Sequence, residues 1–370
     1  LFFKVDLLAN IVWTTQEAYA IIAPIIHQLK KDEHMYISKT IYVLMLFIAC
    51  TSMEAFDKNA KIFVAGHRGL VGSALVRRLE ASGYANIIVR TSAELDLRDA
   101  QATREFFDTE QPEYVFLAAA KVGGIWANSI YPAEFIHDNL AIELNVIDSA
   151  YRSGVKKLVF LGSSCIYPRD CPQPICEEYL LTGALEETNK AYAVAKIAGI
   201  IMCQSYNKQY GTKFISCMPT NLYGPYDNFD LQNSHVLPAL LRKMYEAKRD
   251  NKPTVTLWGS GRPYREFLYV DDLADAVVFL IDNYEGDEIV NIGTGQDVTI
   301  RELALTMQRI VGYEGELVFD ASKPDGTPRK QLNVDKLTSL GWSAPTGLED
   351  GIEMTYRWCL ENDVLELLNS

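Results

Sequence analysis

Residues 156 to 168 read KKLVFLGSSCIYP, an apolar run that breaks into hydroxyl and thiol side chains at Ser163, Ser164, Cys165 and Tyr167. A second reactive pair lies in Ala191-Tyr192-Ala193-Val194-Ala195-Lys196, where i to i+4 spacing in a helical stretch puts the Tyr192 hydroxyl and the Lys196 ammonium on one face. A lysine beside a phenol lowers its pKa, and the phenol can then pass a proton to a carbonyl oxygen while hydride arrives at carbon. YxxxK by itself is common by chance. Serines about 28 residues earlier, and a glycine-rich turn further upstream, make chance a poor account of it.

Elements able to position these groups can be read around them. Leu158 to Leu161 is a continuous apolar run between charge and Gly162, as expected of a strand buried on both faces, so the reactive cluster sits at its carboxyl end, where open parallel sheets bind ligands. Lys61 to Ala65 reads as a strand, Gly66-His67-Arg68-Gly69-Leu70-Val71-Gly72 as a turn, and Ser73 to Ser82 as a helix. Glycines at this spacing allow a tight turn and close approach of the backbone to a pyrophosphate. Alone, GxxGxxG is weak; between a strand and an amphipathic helix it is strong.

The next strand, Asn86 to Val89, ends in Arg90-Thr91-Ser92, where NAD-binding folds usually carry an acid for the ribose 2′-hydroxyl. Arginine suits a 2′-phosphate, and Arg68 offers a second cationic fork, so NADP(H) is expected; two solvated surface arginines are the plainer alternative. Asp96-Leu97 follows, its carboxylate placed to accept from an adenine amino group. Tyr114 to Leu117 is another strand, running into small residues, Ala118 to Ala120 and then Gly123-Gly124, that admit a cofactor. A helix over 132–152 leads to the central strand, Val290 to Ile292 returns to the sheet, Arg301 to Val311 has a helical period, and Leu348 to Leu360 reads as a surface helix. This alternation predicts an α/β fold, a Rossmann-like doubly wound parallel sheet, with a smaller C-terminal α/β substrate-binding domain.

Composition narrows the partners. A net charge of -13 with no basic stripe argues against nucleic acid. Seven scattered cysteines do not form a disulfide framework, and the spacing of Cys165, Cys171 and Cys176 is not that of a zinc site, so a reducing compartment and no metal are expected. Residues 1 to 57 differ from the rest. The ten-residue apolar run Ile41 to Cys50 is half of the roughly 20 that a spanning helix needs. From Met35 the segment imitates a signal peptide; the preferred expectation is a non-native or disordered leader, with the native start at Met53 and no membrane.

The set GxxGxxG, SSCIYP, YxxxK, Pro219-Thr220-Asn221-Leu222-Tyr223-Gly224-Pro225, Asn233-Ser234-His235-Val236 and Arg265-Glu266-Phe267-Leu268-Tyr269-Val270-Asp271-Asp272 resembles the extended short-chain dehydrogenase/reductases. AAAKVGGI, GSSCIYP, PTNLYGP and KPDGTPRK narrow the likeness, over about residues 61 to 362, to the GDP-L-fucose synthase family, the GDP-4-keto-6-deoxy-D-mannose 3,5-epimerase-4-reductases.

The resemblance implies that Ser163 and Tyr192 hydrogen-bond the sugar C4 carbonyl and that Lys196 binds the nicotinamide ribose. A C4 ketone acidifies C3–H and C5–H, and inversion needs one group to remove a proton and another to return one. Cys165 and His235 match the family's acid/base pair; from the residues alone, a small buried thiol and a structural histidine are equally open. The implied cofactor contacts are Gly66, His67, Arg68, Gly69, Leu70, Val71, Gly72, Arg90, Ser92, Asp96, Leu97, Ala119, Lys196, Pro219, Asn221, Leu222 and His235. Implied substrate contacts are Asn221, Lys243, Trp258, Arg265 and Asp325, with Arg265 on the diphosphate, where a planar fork matches the oxygens. The implied domains are 58–227 plus 267–296 for NADP and 228–266 plus 297–365 for substrate. A cytoplasmic homodimer acting on GDP-4-keto-6-deoxy-D-mannose is expected. Asp230 and Trp126 depart from the family pattern and put affinity in doubt. The alternatives are a 4-epimerase or 4,6-dehydratase of the same superfamily, though Cys165-Ile166 stands where a dehydratase shows Asp-Glu, and a catalytically silent NADP-binding module, though both Tyr192 and Lys196 remain.

Overall fold

Alternation of side chains between two faces decides how the first half of the chain folds. The computed structural model describes residues 57 to 367 except 232 and 324, so the leader expected over residues 1–57 falls, all but its last residue, outside the described part. Short apolar runs form β1 (Ile62–Ala65), β2 (Ile87–Ile88), β3 (Tyr114–Leu117), β4 (Lys157–Leu161) and β5 (Phe214–Pro219). Together with Val290–Ile292 they make one six-stranded sheet in the order β2-β1-β3-β4-β5 and then that last strand, every pairing parallel. Along each strand the period of two sends neighbours to opposite faces. Ile62, Val64, Phe116, Val159 and Ile215 join one apolar cluster; Phe63, Val115, Leu158, Phe160 and Phe214 join the other. Phe63, Phe107, Phe116 and Phe160 are wholly enclosed, and truncating any one to alanine is expected to cost about 3–5 kcal/mol.

Helices cover both faces. On the first lie α1 (Leu70–Ala81) and, further along, Val270–Asn283; on the second lie α2 (Ala100–Glu110), then, after the short α3 (Ile125–Ile130), α4 (Pro132–Arg152) and α5 (Lys190–Tyr210). The helix predicted from Ser73 begins at Leu70, because Gly69 is its N-cap and the last glycine of the turn lies inside its first turn. The chain passes from β1 outward to β2 and then back across to β3, so the topological switch falls between β1 and β3, where α/β sheets open a crevice.

The remaining elements gather a third apolar cluster away from the sheet. It takes in Tyr223 of β6 (Asn221–Tyr223), Leu257 of β7 (Thr254–Trp258), Phe267 of β8 (Tyr264–Tyr269), Leu241 of α6 (Val236–Arg249) and Leu303 of α8 (Ile300–Val311), with Val270–Asn283 as α7. The strand Val290–Ile292 is β9, and β10 (Asp297–Thr299), β11 (Glu316–Asp320) and β12 (Arg329–Lys330) complete the set. The helix expected on the surface at the C-terminal end, α9 (Leu348–Glu361), is exposed on one side only; Ile352 and Cys359 are buried in this cluster, and Thr355 is buried on the same helix.

Candidate active site

The glycine turn after β1 is shaped for something slender and anionic. Gly66 has φ +87°, open to glycine, and a Cβ there would lie 2.8 Å from the Ala119 backbone across the switch point. At Gly72 a Cβ would meet the Gly66 carbonyl oxygen at 2.1 Å, so helix and turn pack without a side chain between them. The N-terminus of α1 has no side-chain cap, and His67 Nδ1 is buried with no hydrogen bond. Unpaired donors at a helix start, walled by Ala119, fit a dinucleotide pyrophosphate.

At the edge of that cradle, Arg90 holds Glu110 at 2.6 Å and lies over the Phe106 ring. The charges of both Arg90 and Arg68 reach Glu94, whose carboxyl is held down first by hydrogen bonds from Thr91. Arg68 and Arg90 thus share one neighbourhood, as a 2′-phosphate would require. Ser92 is exposed beside them. Two expected adenine contacts have partners of their own. The Asp96 carboxylate is held by the Arg98 fork at 2.9 and 2.8 Å, and the Leu97 side chain is buried in the core while its carbonyl accepts from Asn145 Nδ2 at 2.9 Å.

At the carboxyl end of β4, Ser163 accepts from the Cys165 N–H at 3.2 Å and so caps the short helical turn Ser164–Ile166. One extended residue thereby sets the direction of both the hydroxyl and the thiol. α5 brings Tyr192 over this turn: a Ser163 hydrogen bond lowers the Tyr192 pKa, while burial, the largest effect, and the Cys165 and Glu143 charges raise it. The expected lowering by Lys196 is therefore not what the structure shows. The Lys196 ammonium lies 5.9 Å from the Tyr192 ring and 4.7 Å from Phe160, and its ion-pair partner is Glu143 at 3.3 Å. The phenol is held protonated, the state a proton donor needs.

Cys165 has a neighbour the sequence reading missed. Lys330, on β12, places Nζ 3.8 Å from Cys165 Sγ, and both line an open pocket with Arg169, Glu186, Asn189 and Arg329. The same lysine is felt at His235, which keeps an exposed surface; its pKa is pushed below the ordinary imidazole value first by the protein packed around it and then by the Lys330 charge. His235 is the N-cap of α6, and the turn before it is held by Asp230, which accepts from Asn233 N at 2.8 Å and Asn233 Nδ2 at 3.0 Å. The aspartate noted above as a departure therefore has a local task. Trp126 is exposed, its ring edge-on to Tyr131. The signal for Lys330 was present, since it closes the KPDGTPRK segment, but nothing in spacing said where that segment would lie.

Of the other expected contacts, Pro219 ends β5 and Leu222 pairs with Leu268. Asn221 commits its amino group to the Glu266 carbonyl at 2.7 Å. Trp258 is 59% exposed, with Lys243 at 5.8 Å and Lys323 at 5.5 Å from its ring. Burial lowers the Lys243 pKa. Asp325 has both oxygens engaged by Ser260, from the backbone N–H at 2.6 Å and the hydroxyl at 2.7 Å, so it clips the turn after Trp258. Burial lowers the Arg265 pKa, with the Cys165, Asp325 and Glu186 charges opposing, and its guanidinium donates to the Tyr264 carbonyl at 2.7 Å. The six described cysteines are free, and the described residues contain no cluster of three metal-binding side chains. No described helix is long and apolar enough to cross a membrane.

Comparison with known proteins agrees with this geometry. Residues 62–293 match the model of the NAD dependent epimerase/dehydratase family. The chain is 61% identical over 306 residues to GDP-L-fucose synthase 1 of Arabidopsis thaliana, covering 83% of this chain and 95% of that one. It is 54% identical over 311 residues to the GDP-L-fucose synthase of Escherichia coli (strain K12), covering 82% and 97%. The crystal structure of a GDP-L-fucose synthetase from Naegleria fowleri bound to NADP superposes with a TM-score of 0.78 at 31% identity, covering 84% of this chain and 97% of that one. The chain belongs to the NAD dependent epimerase/dehydratase family, in its GDP-L-fucose synthase branch.

Proposed function

We propose that this protein converts GDP-4-keto-6-deoxy-D-mannose to GDP-L-fucose, inverting C3 and C5 and then reducing C4 with NADPH. One observation carries the reading. Ser163, which interacts with the Tyr192 phenol, also caps the turn that carries Cys165; that thiol has Lys330 at 3.8 Å, and the charge of the lysine extends to His235.

Bound NADPH supplies the hydride. Gly66 to Gly72 would hold its pyrophosphate, with Arg68 and Arg90 on the 2′-phosphate and Lys196 on the nicotinamide ribose. Ser163 and Tyr192 would hold the C4 carbonyl oxygen, and the protonated Tyr192 delivers its proton there as the carbon is reduced. Before that step, Cys165 and His235 work as an acid/base pair across the sugar ring, one removing the proton that the ketone has acidified and the other returning one to the opposite face. The exposed face of Trp258, between Lys243 and Lys323, suits a base and its phosphates. Arg265 lies towards the diphosphate.

The third apolar cluster supports a division into a cofactor domain, 58–227 plus 267–296, and a substrate domain, 228–266 plus 297–365. Leu140, Leu144, Val194 and Ile201 leave an exposed apolar face on α4 and α5, which supports a homodimer packed through these helices. Free thiols support a cytoplasmic setting. The test of the activity is NADPH absorbance in the presence of GDP-4-keto-6-deoxy-D-mannose. Stoichiometric oxidation with GDP-L-fucose as product is expected; an unchanged absorbance would leave a silent NADP-binding module in its place.

A further inference from the structure

Glu143 interrupts an apolar stretch of α4, and its carboxylate is turned inward rather than to solvent. Its side chain is 3% exposed and that of Lys196 2%, with Oε1 and Nζ 3.3 Å apart. Neither carboxylate oxygen has a hydrogen bond among the described residues. Space for it exists because α5 carries Gly199 three residues after the lysine: a Cβ there would come within 2.9 Å of Glu143 Oε2 and 2.5 Å of the Phe160 ring. The titratable groups that face Glu143 are Lys196, Tyr192 and Cys203, all on α5, while β4 offers only the Phe160 ring. Lys196 is the one cation among them.

A buried ammonium without a counter-charge sheds its proton. On the reductase reading the cofactor ribose needs this one charged. We propose that Glu143 is a positioning residue for the reduction: its carboxylate keeps Lys196 charged and anchored behind Tyr192. The inference rests on the reductase reading above. The electrostatic directions agree, since burial lowers the Lys196 pKa and the Glu143 charge raises it again. Burial also pushes the Glu143 carboxyl up to about 7, against the pull of Lys196.

Replacing the carboxylate by a neutral amide removes the upward push on Lys196, so its proton is lost at lower pH. For Glu143→Gln, the alkaline limb of the pH profile for NADPH oxidation, read as kcat/KM, is expected to move down by about one unit or more. That is a tenfold or greater loss on the alkaline side and a smaller one below it. Glu143→Asp, which keeps the charge, should leave the limb near its wild-type place. A folded Gln variant whose limb coincides with wild type, or an Asp variant displaced as far as Gln, overturns the proposal. Should the Gln variant not fold, infrared spectra of wild type and Lys196→Met decide: the protonated-carboxyl band of Glu143 is expected to persist to higher pH once the lysine is gone, and an unmoved band overturns the coupling. Wild-type protein that oxidises no NADPH would sink the reductase reading itself; an active wild type with an unmoved Gln limb sinks only the role of Glu143.

Discussion

The proposed reducing and inverting sides of the site are built in different ways. Ser163, Tyr192 and Lys196 come from the end of a buried strand and from one helix lying against the sheet, and Lys196 is enclosed with its counter-charge. Their spacing is inherited from a core that cannot shift without losing packing. Cys165, His235 and Lys330 come from three segments far apart in sequence: a capped turn, the N-cap of α6, and a two-residue strand. Loops must hold one another there. Glu266 shows how: its Oε1 accepts from Thr294 N at 2.6 Å and Gly295 N at 2.8 Å, and its Oε2 from Leu332 N at 2.8 Å, tying the strand that carries Lys330 to the loop after β9. A site with one helical and one loop-built side should fail in two separable ways.

The sharpest break in that comparison should come from Tyr192→Phe, which removes the proton donor and leaves the other side whole. Hydride transfer, followed by NADPH absorbance, is expected to fall by about 10²–10⁴-fold, while hydrogen exchange at the inverted carbons, followed by NMR in deuterated water, continues. Loss of both would mean that the two sides are not separate. Next in size, Lys330→Met should slow exchange by on the order of 100-fold, because a cation bonded to the thiol is lost, and should slow hydride transfer less. An equal fall in both rates would remove Lys330 from the inverting side.

Two smaller effects sharpen the picture away from the reacting carbons. Arg90→Leu is expected to raise KM for NADPH about tenfold, the worth of one charge-assisted hydrogen bond, and to leave KM for NADH nearly unchanged. A parallel rise for both cofactors would place Arg90 off the 2′-phosphate. Asp325→Ala frees the turn after Trp258, and titration calorimetry with GDP should show binding weakened by about 1–2 kcal/mol, the worth of two partly exposed hydrogen bonds. Unaltered binding would mean that the turn holds its shape without the clip.

What the sequence made legible follows the same division. The glycine turn, the parallel sheet implied by alternation, and the helix carrying Tyr192 and Lys196 all rest on local periods, and local periods survive folding intact. The start of α1 was missed by three residues because the last glycine of the turn, which looks like loop, takes helical geometry once packed on the Gly66 carbonyl. Glu143 was missed although an acid within LAIELNVI is a visible anomaly; only the packing of α4 on α5 reveals which charge it meets. Lys330 lies 165 positions after the thiol it touches, a separation across which no spacing rule operates. The lowering of the Tyr192 pKa was wrong for the same reason: i to i+4 puts lysine and phenol on one face but says nothing of a third residue that draws the ammonium away.

The central claim, that one cleft inverts with sulfur and imidazole and reduces with phenol and lysine, is tested most directly by Cys165→Ser given GDP-4-keto-6-deoxy-D-mannose and NADPH in deuterated water. The expected result is little or no deuterium at the C3 and C5 positions while NADPH is still oxidised. Deuterium entering as fast as in wild type, or exchange and oxidation lost to the same degree, would contradict it.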